Sequence, residues 1–408
     1  MAPRDCMAQL GCWEGYRLCD SWEETRNGQR FCIIRLEPKA RRRRCCDGCG
    51  RGVSSIHDRV ERRVRDLPMF EIPVELVVPR LRLACRRCGP KLERLDWLAP
   101  YARVTTRLAA SVARLCKVMS LRHVAGFYRL AWTTIKRIDL RHLEQELGPV
   151  DLSGVTVIAM DEFAIQKGHR YATVIVEPSS KRVLWVGRGR SREEIRPFFK
   201  LLGPEGCARL RAAVMDMNTA YDLEVRMHCP QAEVVYDLFH VVAKYGREVI
   251  DRVRVDEANR LRGDLAARKV VKSSRWLLLR NRENVTREAD QIRLEEILAA
   301  NKALMTVYVL KDDLKTLWAY RHPGYARRFW HEWYGRAMAS GIAPLCLFAK
   351  RLKPYLQGIL AHSRWPLGTN LVEGINNRIK VIKRMAYGFR DDAYFFLKIR
   401  AAFPGNTG

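Results

Sequence analysis

Three carboxylates and two pairs of cysteines are the residues of this chain whose types and spacing could do chemistry. Val155-Thr-Val-Ile-Ala-Met160 runs straight into Asp161. An apolar, β-branched run of this kind reads as a strand buried on both faces of a sheet, and a charge where it ends sits at the sheet's rim. Asp is also a favoured helix cap, so one such strand alone would read as a strand followed by a capped helix. A second copy changes that balance: Ala212-Ala-Val-Met215 runs into Asp216 in the same way. Two strands of one sheet, each delivering an Asp at its end, bring two carboxylates together to hold a divalent ion. A third acid, Glu373, opens a stretch in which Ile375, Ile379 and Ile382 mark a buried helix face. Glu373, Asn376 or Asn377, Lys380, and Lys383 or Arg384 mark the opposite face, and Thr369 or Asn370 can cap the helix. There the acid could meet a metal while Asn377, Lys380, Lys383 and Arg384 lie along a phosphate backbone. Two carboxylates from strand ends and one from a late helix suit metal-assisted phosphoryl transfer, because Mg2+ takes oxygen ligands and stabilises the attacking and leaving oxygens. Without the ion the three would repel, so the site should be loose or hold raised pKa values. Glu162 and Asp237 are rival ligands. Asp237 ends a strand too, with a capping role before Phe239 and His240 as its alternative, and His240 reads as structural.

The cysteine pairs are Cys46-Asp-Gly-Cys49-Gly50 and Cys85-Arg-Arg-Cys88-Gly89. A two-residue gap lets two thiolates from one tight turn meet one tetrahedral Zn2+, and the following Gly tolerates the backbone of that turn. Cys45 and His57 are stand-in ligands that read better as a bystander thiol and a surface histidine. Cys6, Cys12, Cys19 and Cys32 are spaced too irregularly for a metal site. An odd total of 13 cysteines, few of them clustered, argues for reduced thiols plus a metal site and against a disulfide framework.

The elements that must position these groups follow from the rest of the chain. Its 408 residues suggest about two to four domains, and 48% hydrophobic residues can bury real cores. A formal charge of +29 points to a polyanion, nucleic acid first and a membrane surface second. No apolar run reaches the ~18 residues of a spanning helix, and Cys, Asp, Trp and Glu stand where a signal peptide would be apolar. We therefore expect a soluble, cytoplasmic, bacterial protein with no membrane partner. Residues 1–44 carry no readable pattern; within them Arg41 to Arg44 is a solvated linker or a phosphate contact. Residues 45–98 read as a zinc ribbon: Glu71 to Val78 alternates like a strand and Arg80 to Ala84 leads back to the second pair. Residues 100–148 read as helices, with Ser120 and Thr133 as caps of the second and third. Lys136, Arg137 and Arg141 on the outside of the third suit a helix-turn-helix in the major groove of double-stranded DNA. Gly148-Pro149 ends that unit. From 151 to 240 the pattern turns to strand (ending at Asp161), strand, strand, helix opened by the capping box Ser191 to Glu194, strand, helix, strand. That is the element order of a ribonuclease-H-like sheet. Residues 241–355 form a helical insertion in which Trp276, Trp318, Trp330 and Trp333 read as core and not as base-stacking residues. Residues 356–404 complete the core with the third acid. The fold class is thus multidomain α+β.

On these residues the sequence resembles the DDE transposases of the insertion-sequence L3 family, over roughly residues 45 to 404. The resemblance is carried by the paired cysteines, by Val157-Ile-Ala-Met-Asp-Glu162 with Lys167-Gly-His-Arg-Tyr171, and by Val214-Met-Asp216-Met. Asp237-Leu-Phe-His240, Thr369-Asn-Leu-Val-Glu-Gly-Ile-Asn-Asn377 and Ile382-Lys-Arg-Met-Ala-Tyr-Gly-Phe-Arg390 complete it. It implies that Asp161, Asp216 and Glu373 are a catalytic triad binding Mg2+ or Mn2+. It implies also that the ribbon and helix-turn-helix recognise the element's terminal inverted repeats. The implied activity is strand cleavage at the element ends by water, followed by attack of the freed 3′-hydroxyl on target DNA. Synapsis of two ends implies a homo-oligomer, a dimer or higher, on DNA. Three rivals remain open: a non-catalytic repressor that uses only the DNA-binding parts, a nuclease that cuts without joining, and, weakest, a zinc-dependent hydrolase.

Overall fold

The computed structural model describes residues 13–405 except Lys167, His169, Gly368 and Thr369, and describes no side chain for Asn370 or Leu371. Cys6, Cys12, the Lys167-Gly-His169 motif and the caps expected at Thr369 or Asn370 therefore lie outside the described residues. The chain divides into two compact units, residues 1–148 with 383–390 and residues 149–382 with 391–408. Among the described residues no helix is long and apolar enough to cross a membrane.

The first unit begins with a hairpin, β1 (Tyr16–Arg26) and β2 (Gln29–Pro38). A longer hairpin follows, β3 (Ile56–Met69) and β4 (Ile72–Cys85), and then the short β5 (Gly89–Leu92). They form one sheet of order β1-β2-β4-β3, with β5 on β4. The stretch that the sequence left unread thus supplies two strands of this sheet. β4 is its centre and is buried almost throughout, with Val64, Val74, Leu76 and Val78 in one apolar cluster. The sequence reads Glu71 to Val78 as a strand and Arg80 to Ala84 only as the stretch that leads back to the second cysteine pair, and between them stands Pro79, which cannot donate to a sheet ladder. The structure corrects this to one continuous strand. β2 pairs with β4 only from Val74 to Val77, so beyond that point the strand has a single main ladder partner and the missing N–H costs little. Arg42 is also corrected. Neither linker nor phosphate contact, it is buried in an ion pair with Glu93 and stacks over the Tyr16 ring at 4.5 Å.

Three helices follow in this unit: α1 (Thr106–Cys116), α2 (Leu121–Tyr128) and α3 (Trp132–Leu147). Leu108, Val112, Val124 and Ile135 make their shared core. Ser120 caps α2 as expected, accepting from the His123 N–H. The third helix does not start from Thr133. Arg129 takes a left-handed conformation and Leu130 N–H bonds back to Ala125, so the turn closes early and Ala131 is the cap, without a side-chain bond.

The second unit is built on β6 (Val157–Gln166), β7 (Arg170–Glu177), β8 (Arg182–Arg188), β9 (Ala212–Met215) and β10 (Glu233–Tyr236), in the order β10-β9-β6-β7-β8. β6, β7 and β8 form an antiparallel meander, whereas β9 and β10 run parallel to β6. Parallel neighbours need crossovers. The connections are α4 (Arg192–Arg209), opened by the expected Ser191/Glu194 capping box, and α5 (Thr219–His228). After β10 the chain is helical: α6 (Leu238–Tyr245), a π-helical turn Gly246–Ile250, α7 (Asp251–Arg260), α8 (Leu265–Ser273) and α9 (Arg275–Leu279). It continues through α10 (Glu288–Ala300), α11 (Lys302–Thr316), α12 (Pro323–Ala339), α13 (Ala343–Leu352) and α14 (Leu356–Ala361). α15 (Asn370–Met385) carries the third acid, and α16 (Asp392–Ala402) follows. One apolar cluster joins the sheet to these helices, from Ile158 and Met215 to Trp330 and Phe348. Trp318, Trp330 and Trp333 belong to it, as expected. Trp276 does not: it is 68% exposed, because it lies on the outer face of a single helical turn whose buried residues are Leu277 and Leu278.

Candidate active site and metal centre

In the first unit the loop holding Cys46 and Cys49 and the β4–β5 turn holding Cys85 and Cys88 meet. The four sulfurs lie within 4.8 Å of one another, and Cys49 Sγ is 3.7 Å from Cys85 Sγ. Gly50 and Gly89, which follow the pairs, have φ of 71° and 69°, the left-handed conformation each knuckle requires. Backbone N–H groups of Cys88 and Arg87 donate to the Cys85 sulfur and bring its thiol down to about 7. Four convergent sulfurs fit a tetrahedral zinc ion. Cys45 and His57 stand outside the group. Towards the other end of the long hairpin, opposite Val74, Asp66 ties the sheet to α1. It pairs with Arg107 and accepts hydrogen bonds from Thr105 Oγ1 at 2.6 Å and Trp13 Nε1 at 2.9 Å. Arg65 donates to the Tyr128 carbonyl at 3.1 Å, at the C-terminal end of α2. On α3, Arg137 and Arg141 are exposed and Lys136 is half-buried.

In the second unit, Asp161 is not at the end of its strand. β6 runs five residues past it, paired with β7, and Asp161 faces Val174 across that hairpin. What ends near Asp161 is the neighbour. β6 and β9 pair from Val157/Ala212 to Ala159/Val214, and β9 stops at Met215. Carried two residues further, this register sets Asp161 level with Asp216. β9 pairs with β10 up to Met215/Tyr236, and Asp237 N–H donates to the Met215 carbonyl at 3.1 Å, which sets Asp237 level with Asp216 on the other side. Three aspartates therefore line one sheet edge on adjacent strands, about 4.8 Å apart by strand spacing.

Their surroundings are short of partners. Asp216 Oδ1 and Asp237 Oδ2 are buried without a hydrogen bond. Asp237 heads α6 but makes no side-chain cap bond, and His240 Nε2 lies 3.8 Å from its Oδ2. Burial pushes the Asp161 carboxyl up to about 6, with the charges of Asp216 and Glu162 adding to the rise and His240 opposing it. Burial raises Asp216 as well. Burial contributes most to both rises, and repulsion from neighbouring carboxylates adds to it. Glu162 is held by Arg190 at 2.9 Å, and Arg190 stacks on Tyr171 at 4.4 Å.

Among the described residues, neither Glu373 nor the three aspartates form a group of three ligand atoms close enough to share an ion; only the four cysteines do. Glu373 is exposed. One turn further along α15, Asn376 does reach the carboxylates: its Nδ2 donates to Asp161 Oδ2 at 2.6 Å, and its own Oδ1 is buried and unpartnered. Asn376 and His240 are the site residues that sequence reasoning underrated. The spacing of Glu373 and Asn376 on one helix face was the available signal for the first. Asn377 and Lys380 are exposed and bonded to each other at 3.2 Å; Arg384 is exposed and Lys383 half-buried.

The transposase model of the ISL3 family matches residues 158–399, the span that holds all of these carboxylates. The chain belongs to the ISL3 transposase family. Within this family the other two matches fall on the first unit: the helix-turn-helix domain over residues 93–143, and the zinc finger of IS204/IS1001/IS1096/IS1165 transposases over residues 42–88. The chain is 55% identical, over the full length of both, to the transposase for insertion sequence element IS1001 of Bordetella parapertussis. It is 28% identical to the transposase for IS1557 of Mycobacterium tuberculosis, over 88% of this chain and 85% of that one. The resemblance read from the motifs thus stands for the family, the ribbon and the helix-turn-helix.

Proposed function

We propose that the chain is a DDE transposase of a bacterial insertion sequence, acting in the cytoplasm on double-stranded DNA. In this reading the ribbon, with its zinc, and the helix-turn-helix bind the terminal inverted repeats, Lys136, Arg137 and Arg141 lying at the DNA. Residues 151–240 and 356–404 form a ribonuclease-H-like catalytic core around a helical insertion at 241–355. The observation that carries the reading is the sheet edge. Asp161 and Asp216 stand level on adjacent parallel strands, and Asp216 has a buried carboxylate oxygen with no partner. The sheet order β10-β9-β6-β7-β8 supports the ribonuclease-H-like assignment.

Adjacent buried carboxylates, with an oxygen of Asp216 and one of Asp237 left without a partner, are a donor set suited to a hard divalent cation. Mg2+ or Mn2+ bound there would neutralise phosphate charge and supply an activated water. Asp161 and Asp216 would hold it. Glu373, one turn from Asn376 on α15, is the third ligand implied by the family. Asp237 is the second reading, favoured by its burial, its unpartnered Oδ2 and its place beside Asp216. Asn376 positions Asp161. Asn377, Lys380, Lys383 and Arg384 line the phosphate backbone, and two chains synapse two ends. Strand transfer with pre-cleaved element ends and a plasmid target tests this against the nuclease reading. Joined products are expected; end cutting without any joining would leave only a nuclease, and binding without either would leave a repressor.

A further inference from the structure

Beside the sheet edge, the helices of the second unit enclose a cavity of about 950 Å³ that the proposed chemistry does not use. Asp237 lines it, so it opens next to the carboxylates. Trp318 lines it from the core side, its Nε1 donating to the Tyr236 carbonyl at 3.4 Å. Two aromatic side chains at the cavity are exposed where a core would bury them: Trp276 at 68% and Phe239 at 58%. Single exposed aromatics are ordinary, but two on one cavity form a surface for another ring.

Apart from Asp237, the charged lining is cationic. Arg247 is exposed and has no ion-pair partner among the described residues. Arg275 stacks on the Trp276 ring at 5.2 Å while pairing with Asp251. Lys311 and Lys315 are engaged with backbone carbonyls, Asn281 and Asp312, so they contribute field more than free donors. His362 adds a buried Nδ1 with no partner. The backbone is specialised at the same place. The chain leaves α6 through the π-helical turn Gly246–Ile250, an irregularity that in helices frequently marks functional sites. A Cβ at Gly246 would come within 2.8 Å of Leu279, so the glycine lets α9, and with it Trp276, close on the cavity.

Aromatic rings, an unpaired arginine and one free hydrogen-bonding nitrogen, beside a site read as cutting DNA, fit one occupant. We propose that this cavity captures an unpaired nucleotide of the DNA substrate, its base stacked on Trp276 and Phe239 and its phosphate met by Arg247. The volume is in the range of sites for single small molecules, with room for a nucleotide and none for a duplex. Stacking on an aromatic face accepts any base, so capture selects unpaired over paired structure and not sequence. The cost of withdrawing a base is least where it is already unpaired. The proposal rests on the transposase reading for its substrate, DNA.

The test uses the full-length, zinc-loaded protein without divalent metal at the carboxylates. The probes are a duplex carrying one bulged 2-aminopurine and the same duplex fully paired. The wild type is expected to bind the bulged duplex more tightly and to quench its fluorescence. Trp276→Ala, an exposed position whose loss leaves the fold intact, should weaken bulged-duplex binding about five- to a hundredfold and leave the paired duplex unaffected. Trp276→Phe should restore most of the preference, and Arg247→Ala should weaken it. Equal binding of the two duplexes by the wild type overturns the proposal, as does a preference that survives Trp276→Ala. Asp161→Asn separates the two readings. It should keep the bulge preference while losing end cleavage; retained cleavage would sink the metal site and leave nucleotide capture standing.

Discussion

Asp161 and Asp216 share the work expected of this site, and each should be indispensable. Asp161→Asn or Asp216→Asn is expected to lower end cleavage at least a thousandfold, about 4 kcal/mol of barrier, while end binding stays within a fewfold of wild type. A gel assay of cutting beside a binding titration checks both, and substantial cutting by either variant would refute the assignment. Asn376 should behave differently. It touches Asp161 at 2.6 Å but carries no charge to give a cation, so Asn376→Ala should slow cleavage partially and raise the metal concentration needed. Part of this was legible in the sequence. An apolar β-branched run into Asp161 and a second into Asp216 placed two carboxylates on one sheet. Their depth was not legible: nothing before Asp161 announces that β7 carries the strand on to Gln166. Helical periodicity gave the face shared by Glu373 and Asn376. It could not say which of them reaches the sheet, because that depends on how far α15 slides along its packing partners. Trp276 gave no sign of exposure, since one tryptophan in a short basic turn has no periodicity to read.

At the scale of elements, the ribbon is stapled twice, by its cysteines and by Asp66. Cys46→Ser or Cys88→Ser should remove the bound zinc and weaken binding to end DNA, because a four-sulfur site contributes folding energy directly. Metal content by mass spectrometry checks it, and an unchanged zinc stoichiometry would contradict it. Burial alone would raise the Asp66 carboxyl, but Arg107, Thr105 and Trp13 together hold it below the usual carboxylate value. A depressed folded pKa means that the unfolded chain binds the proton first. The stabilisation is therefore whole above the unfolded value of about 3.9 and is lost as pH falls through the folded one. Thermal melts should show this acid loss, blunted in Asp66→Asn, which at neutral pH should cost about 2–3 kcal/mol for its charged hydrogen bonds. The CxxCG spacing made the zinc centre plain in the sequence. The hairpin β1–β2 was invisible because its partner β4 lies far along the chain and its own residues alternate weakly, with charged Glu23, Glu24, Arg26 and Arg30 among them.

For the whole molecule, 74 Lys and Arg against 45 Asp and Glu make binding to DNA a strongly electrostatic event. Counterion release predicts that affinity for end DNA falls by about a thousandfold or more between low and physiological salt. A fluorescence titration over salt concentration checks this, and a flat dependence would contradict it. In the proposed function, one chain joins this binding to metal-dependent cutting through Asp161, Asp216 and Glu373. That link is tested most directly by cleavage of labelled DNA carrying the element's ends, in Mg2+ and in EDTA, with wild type beside Glu373→Gln and Asp237→Asn. Cutting is expected from the wild type in Mg2+ alone, with its loss in Glu373→Gln and its survival in Asp237→Asn. Cutting by Glu373→Gln at the wild-type rate, with none by Asp237→Asn, would contradict this and move the third ligand to the sheet edge.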